Sequence, residues 1–287
     1  MDKTSSAICF AFLQKAPPAQ QQALWKHASK EWTEQLHHYE KWTSDPTFEL
    51  PSNEEELDHV HASWLTPFLR ALPEGDIKLV LGSLTEAQQR FLQETLLFSN
   101  HIPTLSSLGK RFLRETLFSY LAKQEELLPP TCLPFSPLNA LLALDYEELL
   151  SLISLLAMHD LAIEVRQIID KTKLKQIDTI LSSAQVNFLK TLLHRKEPVS
   201  FKKMSLNKWD GDAETLQSIL QQRGINRLAK ALYPHESSLQ WYVSRRLDHE
   251  RGMLLSQLCT PLDHPRAAAL LSDEVTTLID AIQNEEE

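Results

Sequence analysis

The chain has 287 residues, a net charge of −9 and only 6 Gly, near 2 % against a usual ~7 %. Few turns can therefore use a positive φ, which excludes a β-sandwich, a Rossmann crevice or a phosphate-binding loop. Leu is abundant while Val and Ile are sparse, a balance that favours helix over strand, so an all-α fold is expected, in about two domains by length.

In chain order, Pro17 and Pro18 open the first expected helix, running to about residue 45. Trp25, Ala28, Trp32, Leu36, Tyr39 and Trp42 recur every three or four residues and make an aromatic stripe. A polar link follows, and the acids at 54–56 suit a helix N-terminus. Leu57, Val60, Trp64, Leu65 and Phe68 continue at helical spacing, with Pro67 as a break. A short helix is expected over 76–81, and Thr85 with Gln88 reads as a capping box for the next. A helix from Pro103 should turn Leu105, Leu108, Phe112, Leu113, Leu117 and Leu121 inward. Four prolines in the nine residues 129–137 then make a stiff connector.

Asp145 with Glu148 starts the second half as another capping box, and the helix behind it is apolar almost all round, as core helices are. Short helices are expected over 161–169 and 174–181. Ser182 with Gln185 caps the next, over 182–193. The run Trp209, Asp210, Gly211, Asp212 reads as a turn with Asp212 as N-cap. A helix over 213–222 is expected to stop at Gly224, and others follow over 225–232, 238–247, 254–258, 265–271 and 272–282.

One phrase occurs twice: LTEAQQRFL at 84–92 returns as LSSAQVNFL at 181–189. Extending it without gaps pairs 77–96 with 174–193, with 7 identities in 20 positions: a cap partner, Gln88 and Gln185, and mostly the apolar face of one helix. A fixed-period repeat in a helical chain points to stacked helical units, which make binding surfaces more often than catalytic ones. The expected organisation is an N-terminal amphipathic segment at 1–48, a first helical module at 49–128, a linker at 129–137, and a second module at 138–287 with an acidic tail. Charge differs between them. Residues 1–160 hold 12 Lys and Arg against 21 Asp and Glu, residues 161–260 hold 16 against 10, and residues 261–287 hold 1 against 7. The basic lobe fits an internal acidic face or an acidic protein partner; nucleic acid is not expected, since no recognition motif accompanies the charge.

Chemistry is sparse. Cys9, Cys132 and Cys259 are scattered without a CxxC, which suggests neither zinc nor a disulfide framework. No nucleophile elbow, Walker loop or HExxH occurs. His59 and His61, if helical, point to different faces and would not share an ion, so no metal or cofactor is expected. Asp248, His249 and the neighbouring arginines would be the acid and base of an enzyme acting on an anionic substrate, but no nucleophile accompanies them. The polar, aromatic block 242–251 is the best local candidate for a contact surface, with an intradomain salt-bridge network as the competing reading. The candidate interaction residues are Trp25, Trp32, Tyr39, Tyr242, Arg245, Arg246 and Arg251. Reversing Arg245 and Arg246 to Glu is expected to abolish partner capture and leave the circular dichroism unchanged. The start lacks a secretory signal pattern and no run reaches the ~18 apolar residues of a span, so a cytoplasmic chain with no direct membrane insertion is expected.

The repeated unit, with its Leu-(Ser/Thr)-x-Ala cadence at 84–87 and 181–184 and the apolar stretch 149–169 before the second copy, resembles the helical repeats of the flagellar switch protein FliG. The Glu-His-Pro-Gln motif of that family is missing, and His264-Pro265 lacks both flanking residues. The resemblance implies a non-enzymatic scaffold or adaptor of a flagellar or type III secretion cytoplasmic complex. Its partners would be proteins, including membrane-ring components at the inner membrane. The alternatives are the all-α enzyme above, with a pocket between the modules, or a secretion chaperone with an exposed apolar groove.

Overall fold

The computed structural model describes residues 17–27, 53–98, 101–123, 125–195, 198–206, 209–262 and 265–284. They form α-helices and 3-10 turns, with no strand among the described residues. No helix is long and apolar enough to cross a membrane. Of the N-terminal helix, Pro18–His27 is described as α1; the rest of the aromatic stripe, including Trp32 and Tyr39, lies outside the described residues.

The first core gathers around α2 (Asn53–Glu56), two 3-10 turns (Leu57–His59 and Ala62–Leu65), α3 (Thr66–Arg70), α4 (Glu74–Ser83), α5 (Glu86–Leu96) and α6 (Ser107–Ala122). The spacing of 57–68 suggested one helix with a break. Pro67 instead sits in the first turn of α3, and the residues before it form the 3-10 turns, with His61 in extended backbone. The capping box of α5 forms as expected: Thr85 accepts from the Gln88 amide and Gln88 accepts from the Thr85 amide. The Gln88 side-chain amide also donates to the Leu57 and Val60 carbonyls, at 2.9 and 2.8 Å, so the cap doubles as a tie to the preceding turns.

α6 departs from expectation. It starts at Ser107 behind the Ser106 cap, and only its second half reaches the core, through Leu117, Phe118 and Leu121. Leu108 and Phe112 do not face inward: they are 76 % and 66 % exposed. The apolar periodicity simply runs on past the point where the helix loses its packing partner.

In the second half, α7 (Tyr146–Val165) is continuous where two helices were expected. Its core residues include Leu149, Leu152, Ile153, Leu156, Met158 and Leu161, each contributing about 1.5–3 kcal/mol by leaving water. α8 (Lys171–Ile180) and α9 (Ser183–Leu193) follow, with α9 against α7. These two helices match α4 and α5 in length, 10 and 11 residues, and α9 carries the same capping box through Ser182 and Gln185.

α10 (Ala213–Leu232) is also a single helix. Gly224 does not stop it. A Cβ there would lie 1.9 Å from the Ile153 carbonyl oxygen, so glycine lets α10 lie directly on α7. α11 (Ser237–Arg246), α12 (His249–Leu258) and α13 (Pro265–Asn284) complete this part. α13 is one helix where 265–271 and 272–282 were expected.

A buried charge cluster ties three of these helices together. Arg227 of α10 is 0 % exposed. Its guanidinium donates to Asp160 of α7 at 2.7 Å, to Glu274 of α13 at 2.6 Å and to the Val199 carbonyl at 2.9 Å. Glu164 accepts from the Met204 and Leu206 amides and fixes the chain between α9 and α10.

Candidate functional site

The block 241–251 lies where the two halves meet, and its side chains are engaged within the chain. Trp241 and Tyr242 enter the same apolar cluster as Leu57, Trp64, Leu92 and Phe118, across the proline connector. Tyr242 is 4 % exposed, and its hydroxyl donates to the Leu128 carbonyl; burial, followed by the charges of Glu56 and Cys132, pushes its pKa well up. The Arg245 guanidinium lies 3.9 Å from the Trp64 ring centroid and 4.9 Å from that of Trp241, a cation held by two aromatic faces. The Trp64 indole donates to the Leu247 carbonyl, the His61 amide to the Arg245 carbonyl, and the His249 amide to Ser63 Oγ. Arg246 donates to the Leu144 carbonyl, and Arg251 binds Asp248 at 2.6 Å and Gln221 at 2.9 Å. For Tyr242, Arg245, Arg246 and Arg251 the partner in this structure is the chain itself. Trp25 is half-buried in α1.

Beside this junction is a cleft of about 370 Å³ lined by His59, His61, Gln88, Phe91, Tyr146 and Arg246, among others. The two histidines share it because they stand on a 3-10 turn and extended backbone rather than on one α-helix. His61 lies against Phe91 and Tyr146, with ring centroids 5.1 and 4.6 Å away, and its Nδ1 bonds Ser63 Oγ at 2.8 Å. Burial lowers the pKa of His61, with Asp248 opposing and Arg251 assisting. Tyr146 donates to Asp248. Burial alone would raise the Asp248 carboxyl, but hydrogen bonds and charge from Arg251, with the Tyr146 hydroxyl, outweigh it and hold the pKa down. Asp248 also caps α12 by accepting from the Arg251 amide, and the His249 ring lies against Trp64. Neither lines the cleft. Among the described residues, no group of three or more His, Cys, Asp or Glu is placed to hold a metal.

Two apolar surfaces are open instead. One is the ridge of Leu108 and Phe112 on α6, next to a groove of about 670 Å³ that also carries Lys110, Arg111 and Arg114. The other is a trough of about 320 Å³ at α8 and α9. Its lining includes Val165, Leu174, Val186 and Leu193, all half-buried, with the buried Ile177 and Leu189 and the exposed Lys175 and Lys190. Sequence reasoning placed the first surface inside the core and missed the second. Its only sequence signal was the second copy of the repeat, set in the basic lobe. None of the family models, curated proteins or solved structures compared with this chain matches it.

Proposed function

We propose that the chain is a non-enzymatic helical adaptor, built on a duplicated helical module, that binds other proteins through apolar helical surfaces. The observation that carries this reading is the open apolar surface: the Leu108 and Phe112 ridge and the trough at α8 and α9, edged by basic side chains together with Glu55 and Asp58 at the first and Asp178 at the second. Exposed apolar surface of this kind is characteristic of interaction sites. The acid, base and arginines available for catalysis are engaged in caps, ion pairs and ring contacts at the junction, which supports an adaptor over the enzyme. The FliG-like cadence of the repeat directs the search for partners to cytoplasmic complexes of a flagellar or type III secretion apparatus.

Photo-crosslinking from within cells tests the reading. A benzophenone side chain is placed at Leu108 or at Lys190 of the full chain, and the adducts are identified by mass spectrometry. A discrete protein adduct from at least one position is expected. Absence of any protein adduct from both positions, in a chain that retains its helical spectrum, would overturn it.

A further inference from the structure

The two copies of the repeat differ in a way that bears on what the second one holds. At offset 97, Phe98 corresponds to Arg195. After α5 the chain turns through Leu97 in the left-handed region, and Phe98 packs on the first core. After α9 the chain ends its helix at His194 without that turn, and Arg195 is exposed. The second copy thus lacks the aromatic that accompanies the first.

The charges diverge as well. Lys78 of α4 pairs with Glu74 at 3.0 Å, whereas its counterpart Lys175 has Lys171 in the place of that glutamate. Residues 74–98 hold 2 Lys and Arg against 4 Asp and Glu, a balance of −2, while residues 171–195 hold 5 against 1, a balance of +4. Both copies keep the same cap and the Leu, Ala, Phe and Leu of the capped helix, while Leu81, buried in the first core, gives way to the exposed Asp178. The reversal of charge fits a surface that attracts acids around an apolar floor.

We propose that the trough at α8 and α9 is the docking site for one amphipathic helix of a partner protein, apolar on the ridge that enters the trough and acidic on its flanks. The proposal rests on the adaptor reading and narrows it to one surface and one chemistry. Two adjacent helices with an apolar valley between them suit helix-in-groove binding, in which anchors at i, i+3, i+4 and i+7 enter the valley. Lys175 and Lys190 outnumber the one carboxylate of the lining, Asp178, so the flanks carry net positive charge. The apolar lining distinguishes such a partner from a polyanion, which needs cations but no valley.

The test uses the full chain and three fluorescent probes. The first is a helix-forming peptide of about 18 residues with Leu at i, i+3, i+4 and i+7 and Glu on its other faces. The second carries Lys in place of Glu, and the third is polyglutamate. The Glu-faced peptide is expected to bind and to shift the methyl resonances of Val186 and Leu193. The double variant Lys175→Glu/Lys190→Glu should keep its thermal midpoint, bind that peptide about tenfold more weakly, and prefer the Lys-faced peptide. Equal binding of polyglutamate, no binding of either peptide, unchanged affinity in the double variant, or shifts confined to α6 would each overturn the proposal. Crosslinks from position 108 that persist through such a failure would leave the adaptor reading standing. Their absence together with absence from position 190 would remove both.

Discussion

Replacing Gly224 with Ala separates two opposed physical expectations at one position. In an exposed helix interior, Ala is better than Gly by about 1 kcal/mol, because it loses less backbone entropy on folding. Here the added Cβ would sit 1.9 Å from the Ile153 carbonyl oxygen and 2.7 Å from its carbonyl carbon. Ordinary contact begins near 3.4 Å, so α10 and α7 must separate by about 1.5 Å. A gap of that size forfeits a quarter to a half of the dispersion energy, or more, at each contact along the helix pair. Overpacking of this kind reaches about 3 kcal/mol, which leaves a net loss of about 2 kcal/mol after the gain in propensity. The midpoint of thermal unfolding, followed by circular dichroism at the helical band, should fall by about 4–8 °C. Gly75→Ala is the matched control, since nothing lies within 4 Å of its Cβ, and it should be neutral or slightly stabilising. A midpoint for Gly224→Ala equal to or above that of the unaltered chain would refute the close crossing of α7 and α10.

Arg227→Met should lose about 3–5 kcal/mol in urea unfolding, because it leaves the carboxylates of Asp160 and Glu274 without their shared cation. Reversal of Arg245 and Arg246 to Glu, which sequence alone suggested would spare the fold, should instead lower the unfolding midpoint, since a carboxylate would lie against the faces of Trp64 and Trp241. An unchanged midpoint would show that the ring contacts contribute nothing. His59, His61 and His235 have pKa values below 6.5 in the fold, burial being the first cause in each, so the unfolded chain binds protons more readily. The contribution of these histidines to stability is therefore full above pH 6.5 and is lost as pH falls through their folded values. Urea midpoints at about pH 7.5 and about pH 5.5 should show the decline, and His61→Gln should lessen it.

The local features were legible in the sequence. All three capping boxes form, at Thr85, Asp145 and Ser182, because a cap needs only residues three apart on one strand of chain. Asp212 caps α10 after a turn with Gly211 at φ +100°, for the same reason. What failed depended on partners distant in sequence. Gly224 looks the same whether it ends a helix or admits another, and only Ile153, 71 residues earlier, decides which. Leu108 and Phe112 keep helical spacing although most of each side chain is exposed. The block 242–251 fits a contact surface or an intradomain network equally by sequence, because its side chains are polar and aromatic. It is a junction because Trp64, far upstream, offers Arg245 a ring face and Leu247 a donor. The charge cluster at Asp160 gave one signal, a histidine and an acid within an apolar helix at 159–160, but not the identity of its cation.

The insertion of Trp241 and Tyr242 into the first core also constrains the order of events during synthesis. The N-terminal helices leave the ribosome long before the two residues that complete their core. Until then the cluster of Leu57, Trp64 and Phe118 lacks these two aromatic members, and the nascent chain presents apolar surface to the cell. Closure waits on contacts more than 170 residues apart, such as Trp64 with Leu247, so folding should be slow for a helical protein and finish late.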